Sequence, residues 1–187
     1  YAGGDFSIVN STSRPKLASF NKVTGAMNTW NPSANGTVFH LTTDGTYIYA
    51  AGSYNAINST GRNGLASISA SGTGAVQSWD PAANAGAIFR KIYISGAKVF
   101  IGGSCSSVGG QLRANLALVD TDAVVSSWAP NPNGQIYELT GDGTNLYTGG
   151  VFSNISGVAR SYVASYTISS NAIRTWAPSL LGSGIWS

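Results

Sequence analysis

The stretch Asp44-Gly45-Thr46-Tyr47-Ile48-Tyr49-Ala50-Ala51-Gly52 decides the fold, because its pattern returns along the chain. It reads as a tight turn, then a strand, then a patch of small residues where another backbone comes close. The pattern recurs at residues 95–103 and 142–150, and the chain begins inside it at Tyr1. Self-similarity at a fixed period identifies a repeat architecture before any other feature of a sequence does.

The chain divides into four repeats that begin near residues 1, 49, 100 and 147. Each repeat carries one Arg and, further on, one Trp that is followed two residues later by Pro. The Arg residues are Arg14, Arg62, Arg113 and Arg160, and the Trp residues are Trp30, Trp79, Trp128 and Trp176. We interpret both sets as structural, because recurrence in every repeat is typical of framework residues. An axial ring of Arg that binds anions, or Trp platforms that stack sugars, are the functional alternatives.

Each repeat is predicted to contain four short strands joined by turns, since no segment has the apolar period of a helix. Asp-Gly at 44 and 142 predicts two-residue turns with positive φ at both residues. Ala123 replaces the turn Gly in the third repeat, so we expect a different loop there. The chain is expected to start on the second strand of one unit and to end on the first strand of another, with Ile185 in the position of Val38.

The second strands predict sheets that are buried on both faces. Ile48, Val99 and Leu146 point one way, whereas Tyr49, Phe100 and Tyr147 point the other way. A sheet of a two-layer sandwich would more often have one wet face. The prediction is therefore an all-β protein, a β-propeller with four antiparallel four-stranded blades of roughly 48 residues.

The order Asp-Gly-x-x-x-Tyr-x-x-Gly, then Phe, Arg, Leu-Ala, Trp-x-Pro and Asn-Gly-x-Val resembles the delta-sixty propeller repeats of bacterial secreted and cell-surface proteins. It is also similar to kelch repeats, and the resemblance covers nearly the whole chain. It implies an extracellular or cell-surface scaffold or binding module without shared catalytic residues. The copper oxidases of the kelch branch need several His ligands, whereas this chain has one His.

Three arrangements of the repeats stay open. The last strand could complete the first blade and close a four-bladed ring, which removes open sheet edges. The repeats could instead belong to a larger propeller, or to a dimer that pools its blades. The expected partners are accordingly other parts of a larger parent chain or a second copy, with a glycan or a cell-surface protein as a possible ligand.

The composition excludes several classes of function. The 187 residues carry a net charge of +3, and Lys and Arg cluster only at Arg90-Lys91, which argues against nucleic acid. A single Cys excludes an internal disulfide framework, and no apolar run reaches the roughly 20 residues of a membrane span. No cofactor motif is present, so we expect none.

Few residues suggest catalysis or metal binding. His40 is a lone His, and Cys105 takes the position of Phe6, Tyr54 and Phe152, which predicts a small buried apolar residue. Asp120 and Asp122 form the only close pair of carboxylates, a weak candidate for Ca²⁺. We therefore expect no enzymatic activity.

A ligand is expected on the least regular loops, residues 7–13, 55–61, 106–112 and 153–159, because variable loops on a rigid scaffold usually carry binding. The candidate residues are Asn10, Asn58, Ser107, Gln111 and Asn154. The leading hypothesis is a non-enzymatic extracellular scaffold or adhesion module. A lectin-like module that binds carbohydrate is the alternative, and a propeller glycoside hydrolase or lyase is the second alternative.

Overall fold

A computed structural model describes residues 1–186 of the chain. These residues form short strands and turns and contain no helix, hence none long and apolar enough to cross a membrane. The strands are paired in small antiparallel sheets throughout. The expectation of an all-β fold is therefore confirmed.

Four sheets follow one another along the chain. Three of them have the same antiparallel order, in which the second strand lies between the first and the third. Sheet 1 contains β1 (Ala2–Gly3) and β4 (Leu17–Ala18), which correspond to the second and third strands of the other sheets. Sheet 2 contains β5 (Val38–Thr43), β6 (Tyr47–Gly52) and β9 (Leu65–Ser69). Sheet 3 contains β10 (Ile88–Ser95), β11 (Lys98–Ser104) and β14 (Leu116–Asp120). Sheet 4 contains β15 (Ile136–Gly141), β16 (Asn145–Gly150) and β19 (Val163–Thr167).

A small hairpin stands between the second and third strands of every repeat. The hairpins are β2–β3 (Ile8–Val9, Thr12–Ser13), β7–β8 (Ala56–Ile57, Thr60–Gly61), β12–β13 (Ser107–Val108, Gln111–Leu112) and β17–β18 (Asn154–Ile155, Val158–Ala159). Each is closed by two residues with positive φ, namely Asn10-Ser11, Asn58-Ser59, Gly109-Gly110 and Ser156-Gly157. The expectation of irregular loops was wrong here, because paired positive φ values give the turn that matches the twist of a hairpin.

The predicted fourth strand is reduced to a single bridge in every repeat. The bridges are Phe20↔Met27, Ile68↔Val76, Val119↔Val125 and Tyr166↔Ile173. In the second repeat the N–H of Gln77 still donates to Ser67 O at 2.8 Å. Its carbonyl instead accepts from the Arg62 guanidinium at 2.7 Å. The Arg62 side chain therefore occupies the acceptor that would pair with Ser67 of the third strand, and the four-stranded prediction needs this correction.

Two expectations about turns were also wrong. In the turn at residues 44–46 only Gly45 has positive φ, and the Asp44 carboxylate accepts the N–H groups of Thr46 and Tyr47, each at 2.8 Å. The same holds at Asp142, whose turn also has three residues between strands. Ala123, in contrast, does adopt positive φ, at 66°.

Both faces of the second strands β6 and β11 are buried, as predicted, whereas Tyr147 of β16 is half-buried. Ile48 packs in a cluster with Leu17 and Val38, while its neighbour Tyr49 packs in a second cluster with Phe89 and Val99. Phe100 belongs to a third cluster with Ile136 and Leu146. Sheets 2 and 3 therefore each lie between two apolar layers, whereas sheets 1 and 4 each contribute to one layer, and the core is a succession of layers between sheets.

Two adjacent small residues in each second strand allow this close packing. A Cβ on Gly102 would lie 2.7 Å from Cγ2 of Ile136 in the next sheet, and one on Gly103 would lie 2.1 Å from the Ile88 carbonyl oxygen of the same sheet. Because Gly103 has no side chain, the first strand of its own sheet can lie against it. In the same way, Gly102 leaves room for the following sheet.

The segment at Ile185 continues this pattern. A Cβ on Gly149 would lie 2.9 Å from Ile185 Cγ2, just as one on Gly3 would lie 2.7 Å from Val38 Cγ1. The N–H of Ile185 donates to Gly150 O at 3.0 Å, as that of Val38 does to Gly4 O at 3.3 Å. Ile185 therefore makes the same contacts with the preceding sheet as Val38 does.

Candidate functional site

The four repeated Arg side chains bind backbone carbonyls of their own repeat. Nη1 donates to the preceding residue's carbonyl, and Nη2 donates to the carbonyl two residues before the repeat's Trp. The second acceptors are Asn28, Gln77, Ser126 and Arg174, at 3.2, 2.7, 2.5 and 3.5 Å. Arg14, Arg62, Arg113 and Arg160 thus each tie a hairpin to the segment after the third strand, with their terminal N–H groups directed at the protein itself.

The repeated Trp side chains join one sheet to the next. Trp30 Nε1 donates to Ser69 O at 2.8 Å and Trp79 Nε1 to Asp120 O at 3.0 Å, at the end of the next sheet's third strand. Trp128 packs edge-on against both Phe100 and Tyr166. Trp176 contacts Tyr147 and is 43 % exposed.

The predicted hairpin residues are not brought together. They lie on four separate hairpins, and two of their side chains are already engaged: Asn58 accepts the N–H of Ser33 at 2.8 Å, and Gln111 accepts from Arg113 at 2.8 Å. Asn10 is exposed at its turn. Ser107 and Asn154 are half-buried, and their N–H groups donate to Asn84 and Asn133.

In the carboxylate pair Asp120 and Asp122, the Asp120 carboxylate accepts hydrogen bonds within its own turn. Asp120 Oδ1 accepts the N–H groups of Asp122 and Val124 at 3.0 and 2.8 Å. Within residues 1–186 no three His, Cys, Asp or Glu side chains lie close enough together to hold a metal ion. Cys105 is buried, which raises the pKa of its thiol to about 11, and its Sγ lies 3.2 Å from Arg113 O. A thiol with that pKa is a poor nucleophile at neutral pH.

The first strands carry a feature that the sequence did not reveal. A β-bulge interrupts each of them at the same position, between Val38 and His40, between Phe89 and Lys91, and between Ile136 and Glu138. The residues at the bulge are Phe39, Arg90 and Tyr137, and Trp186 follows Ile185 at the corresponding position. We name these four residues the bulge row. A bulge re-aims a side chain and is common beside binding sites.

The side chains of the bulge row stack on one another across successive sheets. The Arg90 guanidinium carbon lies 4.2 Å from the centre of the Phe39 ring and 5.6 Å from that of Tyr137. The Tyr137 and Trp186 rings are 4.8 Å apart. Phe39 and Trp186, at the two ends, are 40 % and 60 % exposed. The row is therefore a continuous aromatic and cationic surface, in which each sheet contributes a different residue type.

The residues that come directly after Phe39, Arg90 and Tyr137 in sequence form a second row, of polar side chains: His40, Lys91 and Glu138. Lys91 Nζ lies 3.1 Å from Glu138 Oε2, so this pair largely balances its own charge. His40 Nδ1 accepts the N–H of Ile92 at 3.4 Å. Burial and the nearby Lys91 lower the pKa of His40, although Glu138 opposes the shift. His40 is accordingly neutral at pH 7, and Arg90 is the cation without a counter-ion here.

Arg90 differs from the four repeated Arg residues in its hydrogen bonding. Its Nε is buried without a partner, as in Arg14, Arg62 and Arg160. Unlike theirs, its terminal nitrogens donate to none of the described residues, and none of the ion pairs among residues 1–186 includes it. Two aromatic rings lie beside the guanidinium, and its terminal N–H donors have no acceptor among the described residues.

A separate cleft lies near Trp79, with Tyr47, Gln77 and Asp122 also in its wall. Its volume of about 270 Å³ is smaller than that of usual ligand pockets. Trp79 is buried and its N–H is already bonded to Asp120 O. The bulge row is therefore the better candidate site. The one signal for it in the sequence is that the residue type differs between repeats at the aligned positions after Val38, Phe89, Ile136 and Ile185.

Comparisons of the chain with protein-family models, with curated proteins and with solved structures gave no match. The resemblance to delta-sixty and kelch repeats therefore stays a prediction.

Proposed function

We propose that the chain is part of a β-propeller, with sheets 1 to 4 as successive blades, in a non-enzymatic scaffold or adhesion module of an extracellular or cell-surface protein. The supporting observation is the repeated contact between sheets, in which Gly3, Gly102 and Gly149 each admit an aliphatic residue of the next first strand. Identical contacts between successive units generate a rotationally repeated assembly.

The absence of an enzymatic role in this proposal rests on chemistry. The only His has a lowered pKa and a backbone partner, and the only Cys is buried with a raised pKa. Three carboxylates have a lowered pKa: Asp44 and Asp142 accept hydrogen bonds within their own turns, and Asp5 is paired with Lys16. None of these groups is positioned as a base next to a nucleophile.

The bulge row favours a second candidate, carbohydrate binding, on a different surface from the hairpins named above. Exposed aromatic rings offer flat apolar faces on which the CH groups of a sugar ring can pack. The hairpin residues offer fewer free groups, since Asn58 and Gln111 are engaged with the framework.

One experiment tests both candidates. The purified chain is incubated with a panel of neutral and acidic polysaccharides, and product release and binding are measured on the same samples. The scaffold proposal expects no release of reducing ends or unsaturated sugars, and turnover would overturn it. The carbohydrate candidate expects binding that W186A weakens and that N10G leaves unchanged, because Asn10 lies on a hairpin and Gly tolerates its φ of 46°. The reverse pattern would favour the hairpins.

A further inference from the structure

We propose that Arg90 makes the bulge row selective for sugars that carry a carboxylate, such as uronic acids. This inference rests on the carbohydrate-binding candidate and adds the chemical class of the ligand. It assigns Arg90 to the carboxylate, and Tyr137 with Trp186 to the sugar ring.

The geometry of Arg90 leaves it ready for a planar anion. The Phe39 and Tyr137 rings lie beside its guanidinium, with ring centres 4.2 and 5.6 Å from the guanidinium carbon. A guanidinium presents its N–H donors in that plane, as a fork that matches the two oxygens of a carboxylate. Because none of the described residues supplies such oxygens to Arg90, a ligand can do so without breaking an existing hydrogen bond.

The surrounding charges favour contact with one carboxylate of the ligand, and not with a series of anionic groups. Lys91 is paired with Glu138, and His40 is neutral at pH 7, so Arg90 is left as the one unbalanced charge of the two rows. A multiply charged polymer such as nucleic acid would need several cations along its backbone. One carboxylate for each recognised sugar fits one guanidinium.

The aromatic end of the row provides room for the rest of the sugar. Trp186 is 60 % exposed and its ring lies 4.8 Å from that of Tyr137, which in turn lies beside Arg90. A sugar ring packed on Trp186 would therefore lie along the same row as the cation. The row is an open surface, which suits an internal unit of a polysaccharide chain as well as its end.

The test compares a short oligogalacturonate with its fully methyl-esterified counterpart by isothermal titration calorimetry on the full chain. The two probes share the same sugar chain, and the ester replaces each carboxylate by an uncharged methyl ester. We expect the wild-type chain to bind the acid form about tenfold or more tightly than the ester, since a hydrogen-bonded charge pair is replaced by a neutral contact. R90K keeps the positive charge but loses the fork, so it is expected to lose this preference, and melting curves confirm that it is folded.

R174K is the matched control, because it makes the same exchange at an exposed Arg that lies outside the row. It is expected to bind as wild type does. Equal binding of acid and ester, or full binding by R90K, would overturn the inference while leaving carbohydrate binding in place. Binding of neither probe would overturn both proposals. Free galacturonate that binds as tightly as the oligomer, with W186A unchanged, would show carboxylate recognition without a sugar platform and would also overturn the inference.

Discussion

Arg62 and Arg90 belong to the same protein but to different kinds of surface. Arg62 occurs in a position that is Arg in every repeat, and both terminal nitrogens donate to backbone carbonyls. Arg90 occurs in a position that is Phe, Arg, Tyr or Trp, and its terminal nitrogens donate to none of the described residues. The comparison separates residues that hold the repeat together from residues that the repeat presents.

The largest loss of stability is expected where a new side chain would clash with the backbone of a neighbouring strand. In G103A the new Cβ would lie 2.1 Å from the Ile88 carbonyl oxygen, which the first strand cannot move without losing its pairing. We expect the free energy of unfolding to fall by about 3 kcal/mol or more. The matched control is G61A, where a Cβ meets nothing within 4 Å, and a change within about 0.5 kcal/mol is expected. Equal denaturation midpoints for the two variants would contradict the packing described for the sheets.

The two Arg residues themselves give the next largest difference. R62A leaves the carbonyls of Gly61 and Gln77 without their donor and removes the ion pair with Asp80, so we expect a loss of about 1–3 kcal/mol. R90Q loses only stacking on Phe39 and Tyr137, which is worth about 0.5–1 kcal/mol at an exposed site. Urea denaturation of both variants measures this. A smaller effect for R62A than for R90Q would reverse the assignment of framework and presented residues.

The sequence predicted the framework better than the candidate site, and the reason is physical. Alternation and repetition in the sequence predict the opposite directions of Ile48 and Tyr49, the close approach at Gly102 and the position of Ile185. The same pattern occurs in every repeat, which makes it easy to detect. The bulge row depends on a register shift within each first strand, and the pattern of apolar and polar residues does not predict a bulge. Its side chains meet only through contacts between sheets about 50 residues apart in sequence.

The hairpins show a different limit of sequence reasoning. Their turn sequences look variable because Asn-Ser, Gly-Gly and Ser-Gly all tolerate positive φ and so give one backbone shape. Variation in the turn sequences therefore does not indicate irregular loops here, because the backbone of the four hairpins is the same. At the bulge row the backbone is also constant, but the side chains that it presents differ in charge and size.

Acid should act on the framework through its turn carboxylates. Hydrogen bonds from the Asn145 side chain and from the N–H groups of Asn145 and Thr144 hold the pKa of Asp142 well below 3.8. Because the folded state binds this proton less tightly than the unfolded state, the stabilisation is complete above about pH 3.8 and is lost as the pH falls towards the folded-state pKa. Thermal melting at pH 7 and pH 3 should therefore show a smaller acid-induced fall for D142N than for the wild-type chain.

The turn between β10 and β11 is the control for this effect. Ser95 stands where the other turns have Asp, and it has no charge to lose. S95A should keep the full pH dependence of the wild-type chain. The same dependence in D142N as in wild type would mean that other carboxylates account for acid unfolding.

The smallest expected effect concerns Ala123, which the framework holds at a φ of 66°. The carboxylate of Asp120 braces this turn by accepting the N–H groups of Asp122 and Val124, which allows an L-residue in a left-handed conformation. A123G removes that backbone strain but adds freedom to the unfolded chain, so a net gain of about 0.5 kcal/mol is expected. The opposite exchange, G74A, provides the comparison, since Gly74 has a φ of 85° and a Cβ there would lie 2.8 Å from Trp30 Nε1. Melting temperatures should rise slightly for A123G and fall clearly for G74A, while the affinity of the bulge row for any ligand stays unchanged, because both turns belong to the framework.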